Sequence, residues 1–125
     1  MEDTMIEILP NFPDNIVALA CKGQVTRHDY ETVLVPYVEK ALKRHEKVRL
    51  YYQISSDFVG IDPGAVWEDF KVGVEHLLRW ERIAIVTDVD WIRHTMRFFG
   101  FLMPGEIRIF PTTETSKARD WIVSA

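Results

Sequence analysis

Short apolar runs alternate with stretches of helical periodicity along most of this chain, and that alternation leaves few folds open to it. Residues 16–22 are almost continuously apolar and stop at Gly23. Residues 48–54 are rich in β-branched and aromatic side chains, and residues 82–87 carry Ile83, Ala84, Ile85 and Val86 in a row. Such runs read as strands, and a strand apolar on both faces belongs in the middle of a sheet. Between them the period changes. Tyr30, Val33, Leu34, Tyr37, Val38 and Ala41 recur at helical spacing, as do Val66, Phe70, Gly73, Val74 and Leu77. A third helix is expected from about residue 91 to residue 99, ended by Gly100, and a last one after Pro111 through Trp121 and Ile122. Residues 5–9 and 106–110 supply a first and a last strand. The order is β-β-α-β-α-β-α-β-α. Strand–helix–strand units cross over right-handed. The sequence therefore predicts an α/β domain with a mixed, largely parallel sheet of about five strands flanked by about four helices. Its first strand should run antiparallel to the second.

Local signals refine this outline. Thr26 followed by Asp29 is a helix start, because a Thr hydroxyl and an acid three residues on can take up free backbone N–H groups. Pro36 lacks an N–H and is expected to interrupt and kink the first helix. Pro63 suits the first turn of the second helix. Asp88 or Asp90 is expected to cap the third.

The 125 residues fit one domain, and 47% hydrophobic content is enough for one sizeable core. With 15 Lys and Arg against 19 Asp and Glu, the net charge is −4. The pI of about 5.5 argues against nucleic acid as a partner. The single cysteine, Cys21, excludes an internal disulfide and sits in an apolar run, as a small buried hydrophobe does. The acidic start lacks the basic stretch of a secretory signal. No apolar run approaches the roughly 20 residues that span a bilayer. The expected location is the cytoplasm, with peripheral contact to the inner face of the membrane.

No catalytic constellation stands out. Asp57, Asp62, Asp88 and Asp90 follow the third and fourth strands, where ligands bind in open α/β sheets, and clustered carboxylates there can hold Mg²⁺. Asp in such places more commonly caps helices and turns. His28, His45, His76 and His94 do not pair at zinc-binding spacing, and no phosphate loop or dinucleotide fingerprint is present. The expectation is a non-enzymatic chain with no metal and no cofactor.

The third helix carries more bulk than one sheet-facing stripe needs. At about 100° per residue, Ile92, Met96 and Phe99 form one stripe, while Trp91, Phe98 and Leu102 form a second a quarter-turn away. The second stripe must meet a neighbouring helix, a ligand, a lipid surface or another chain. Trp67 and Phe70 of the second helix, with Trp91, Phe98, Phe101 and Leu102, are the expected wall of an apolar cleft. Arg93 and Arg97 are placed to meet an anionic head. The expected partners are an apolar or anionic amphiphilic small molecule, a membrane surface or a second copy of the chain.

Several segments together resemble the SpoIIAA-like proteins, a branch of the STAS fold. They are Asp57-Phe58-Val59-Gly60, Trp67-Glu68-Asp69, the run from Arg82 to Asp88 followed by Asp90-Trp91, Phe99-Gly100-Phe101, and Pro104-Gly105 before the last strand, with Ala118 and Trp121 in the closing helix. The resemblance implies a mixed sheet flanked by helices, kinship to STAS domains and a looser likeness to CRAL-TRIO lipid-transfer domains. It also implies a lipid-binding or membrane-associated module, or a regulator that works through protein contacts. Sporulation-type STAS regulators carry a phosphorylatable serine after the third strand. Here that place reads Asp62-Pro63-Gly64, with Ser55 and Ser56 earlier. The resemblance therefore implies a regulator without that phosphorylation switch.

Overall fold

The computed structural model describes residues 6–54, 60–61, 79–100 and 105–124, with backbone alone for residues 60, 61, 95, 96 and 98–100. Its centre is a five-stranded sheet in the order β1-β2-β4-β6-β7. The strands are β1 (Ile6–Ile8), β2 (Ile16–Cys21), β4 (Val48–Ile54), β6 (Trp80–Val86) and β7 (Glu106–Phe110). β1 is antiparallel to β2, and the other pairings are parallel. This is the mixed, largely parallel sheet expected from the sequence. Two short strands that the periodicity does not reveal, β3 (Gln24–Val25) and β5 (Gly60–Ile61), pair with each other beside it. Gly23 lies between β2 and β3 at φ 58, a left-handed conformation that glycine adopts without a Cβ penalty.

The four parallel strands follow one another in one direction across the sheet. Right-handed crossovers then put the described connecting helices, those between β2 and β4 and between β6 and β7, on one face. The first helical segment runs as α1 (Arg27–Asp29), a π-turn (Tyr30–Leu34) and α2 (Val35–Arg44). It covers that face with Tyr30, Leu34, Val38 and Ala41 against Val17, Leu19, Val48 and Tyr52. Ile92 of α3 (Asp90–Gly100) joins the same core. The opposite face is covered by α4 (Thr115–Val123), whose Ala118 and Ile122 pack on Ile16, Ala18, Tyr51, Ala84 and Val86.

Two local expectations meet different outcomes. Thr26 caps the first helix in a reciprocal box: its hydroxyl accepts from Asp29 N at 3.1 Å, and Asp29 accepts from Thr26 N at 2.9 Å. Pro36 does not interrupt the helix. It is the second residue of α2, one position beyond the first residue after the π-turn, and helical backbone continues through Leu34 and Val35. A π-turn widens the helix by one residue and opens its hydrogen-bond ladder. The misfit of a proline is thereby absorbed in the ladder rather than in a break.

Three arginines close the carboxyl ends of α2 and α4. Arg79 donates to the carbonyls of Leu42, His45 and Glu46 at the end of α2. Arg49 reaches Ile122 O and Ser124 O, and Arg82 reaches Trp121 O and Ser124 O, at the end of α4. The last carbonyls of a helix have no intrahelical donor and carry partial negative charge, so a guanidinium satisfies both needs. Arg82 and Arg108 also stack against Trp121, at 5.4 and 4.8 Å from the ring centre.

Candidate functional site

The carboxyl edge of the sheet gathers the polar groups that could do work. Near the ends of β2 and β4, the Cys21 thiol donates to Tyr52 Oη at 3.0 Å, and Tyr52 Oη lies 2.8 Å from Tyr30 Oη. All three side chains are buried. The chain of thiol and hydroxyls ties two central strands to the first residue of the π-turn, and buried polar groups linked in this way fix a core's arrangement. Cys21 is thus a buried structural residue, without the open, electropositive setting of a reactive thiol. The Tyr30–Tyr52 contact spans 22 residues of sequence and leaves no periodic trace.

Next along the edge, the end of β6 meets the start of the last helical segment. Thr87 is fully buried, and its hydroxyl accepts from Val89 N. Asp88 accepts from both the backbone N–H and the hydroxyl of Thr112. The expected role of Asp88 as cap of the third helix is therefore corrected. Its carboxylate serves the first residue of the 3₁₀ turn Thr112–Glu114 that leads into α4. Strand order decides this, because β6 and β7 are neighbours and their ends meet. Asp90 is the first residue of α3, where its charge complements the helix dipole, and Val89 O accepts the first helical bond from Arg93 N at 3.1 Å.

The two hydrogen bonds from Thr112 hold the Asp88 carboxyl below its ordinary pKa, with Arg93 adding a smaller attraction. A carboxylate depressed in the fold contributes stability above its unfolded pKa and loses it as pH falls through the folded value. Asp88→Asn should therefore melt below the wild type near neutral pH, and the gap should close as the solution is acidified below about pH 4. Thermal melts across that range check this; a gap that stays constant would assign the loss to geometry rather than charge.

On α3 the alternation of burial is sharp. Ile92 is 4% exposed and Trp91, one residue earlier, is 56% exposed. Arg93 is half-buried on the side of Asp88, while His94 and Arg97 are exposed. Trp67, Phe70, Phe101 and Leu102 lie outside the described residues, as does the side chain of Phe98; so do Asp57, Asp62, Ser55, Ser56 and Pro63. Of the expected cleft wall the structure thus places the side chain of Trp91 alone, together with Arg93 and Arg97, the residues expected to meet an anionic head, on the same helix. Among the described residues no group of three or more His, Cys, Asp or Glu could hold a metal ion. No described helix is long and apolar enough to cross a membrane.

A solved structure from Shewanella loihica PV-4, an uncharacterized protein of the DUF3478 family with a SpoIIAA-like fold, superposes with a TM-score of 0.75. The match covers 98% of this chain and 97% of that one at 24% identity, and so shows a shared fold. No curated protein matches. The family model for SpoIIAA-like proteins matches residues 16–123, from the start of β2 to the end of α4, and the chain belongs to the SpoIIAA-like family.

Proposed function

We propose that this chain is a non-enzymatic interaction module whose contact surface is the exposed side of α3, centred on Trp91. A SpoIIAA-like fold suits a regulatory or interaction module. The observation that carries the finer reading is Trp91 itself, more than half exposed beside a fully packed Ile92. Exposing a tryptophan leaves a large apolar area in water, and tryptophan and arginine are the residues most enriched where protein interfaces concentrate their binding energy. Arg97, exposed on the same helix, supplies the second. Regulation by phosphorylation at residues 62–65 is not part of this reading, because Pro63 has no hydroxyl.

A second reading, binding of an anionic amphiphile, is favoured by the exposed positive charge of Arg97 on the helix that carries the exposed Trp91. Its electrostatics are weaker, since the chain carries a net charge of −4. Both occupants can be tested together. Trp91→Ala should melt within about 0.5 kcal/mol of the wild type, as surface substitutions do. It should also lose proteins that the wild type retains in quantitative affinity enrichment. Sedimentation with phosphatidylglycerol vesicles, using the wild type and Arg97→Glu, reads the amphiphile arm. Equal enrichment by both forms with no vesicle binding would remove α3 as a contact surface. A large loss of stability in Trp91→Ala would make Trp91 a packing residue.

A further inference from the structure

β7 is the last strand of the sheet, and among the described residues its outer edge has no pairing partner. Phe110 turns its carbonyl to β6, where it accepts from Thr87 N at 2.9 Å. Backbone groups alternate sides along a strand. Ile107 and Ile109 therefore point their N–H and C=O groups outwards. Side chains alternate as well. Glu106 and Arg108 are exposed on the α4 face, paired to each other at 2.7 Å. Ile107 and Ile109 are half-buried on the α3 face. At the opposite end of the sheet the edge strand is shorter. β1 is three residues long, and beyond its end the Tyr37 hydroxyl accepts from Ala18 N and donates to Ile16 O, both at 3.4 Å.

We propose that β7 pairs antiparallel with β7 of a second copy of this chain, about a two-fold axis at Ile107. Only residues with outward backbone groups can exchange hydrogen bonds across this edge, which leaves few registers. Centring on Ile107 sets Glu106 opposite Arg108 of the second copy, and Arg108 opposite its Glu106. These two pairs fall at the positions between hydrogen-bonded pairs, where opposing side chains come closest. Opposite charges placed directly across strands are stabilising, and like charges destabilising. Centring on Arg108 would set that residue against itself. Centring on Ile109 would bring Pro111, which has no N–H, opposite Ile107. Charged residues on an edge ordinarily discourage pairing. Here their alternating sign makes the edge complementary to itself in one register.

The experiment is sedimentation equilibrium of the full chain with two variants, each checked for folding by circular dichroism. The wild type should approach twice the 14.6 kDa chain mass as concentration rises. Arg108→Glu, which places like charges opposite each other, should remain monomeric. Glu106→Arg combined with Arg108→Glu restores both pairs with the signs exchanged and should dimerise again. Added salt should weaken the dimer, because these pairs are exposed. A wild type that stays monomeric at every concentration overturns the proposal and would mean that α3, which packs on the isoleucine side of β7, keeps a second chain off the edge. A folded double variant that stays monomeric, or an Arg108→Glu dimer, overturns it equally.

Discussion

Ile122→Ala should cost about 2–5 kcal/mol of folding stability, the usual range for deleting a buried aliphatic side chain, and should loosen α4 before the rest of the domain. Ile122 is fully buried on the sheet face that α4 alone covers among the described helices. The core there is small, and its alanines, Ala18, Ala84 and Ala118, leave Ile122 as a main source of apolar area. A nine-residue helix does not hold its form in water without tertiary packing. Arg49 and Arg82 hold its last carbonyls, so the helix should fray from the sheet rather than detach. Urea unfolding measures the loss, and amide exchange locates it in α4. Val123→Ala, at a site 43% exposed, is the control and should stay within about 0.5 kcal/mol. A loss below about 1 kcal/mol for Ile122→Ala would mean the face is held mainly by the arginines.

Gly105→Ala should destabilise the fold by about 1–3 kcal/mol, the range for forcing an extra methyl into a packed site. A Cβ at this position would meet the carbonyl oxygens of Trp80 and Glu81, the latter at 2.9 Å. Both are backbone atoms of β6 and cannot rotate away. The chain would have to retreat just where Arg82 and Glu106 begin the β6–β7 register. The loss should therefore appear with faster amide exchange in β7 while β2 and β4 stay protected. A variant as stable as the wild type would show that the entry to β7 can shift without breaking the register.

Much of the fold was legible in the chain because strand and helix periods are local properties. The third and fifth predicted strands coincide with β4 and β7, and the fourth begins two residues early, at Trp80. The Thr26–Asp29 box was readable for the same reason, since both partners lie within one turn. The candidate site was less legible. Helical spacing separated Trp91 from Ile92 on paper, and the two differ sharply in exposure in the structure. The Tyr30–Tyr52–Cys21 chain had no signature, because its members come from three elements. Asp88 was misread for a related reason: its local sequence suits a helix cap, but a nearer pair of donors arrives with Thr112, 24 residues away.

By itself the sequence determined the alternation of elements, the antiparallel start of the sheet, the burial of Cys21 and a family likeness spread along the chain. Only the tertiary structure decided which carbonyls Arg49, Arg79 and Arg82 would hold, that a π-turn would carry the helix past Pro36, and that β7 would lie at an open edge with Glu106 and Arg108 alternating along it. The reason is physical. Periodicity records which face of an element is apolar, whereas a guanidinium or a carboxylate bonds to whatever strand order brings within about 3 Å, and neighbours across a sheet leave no period in the chain.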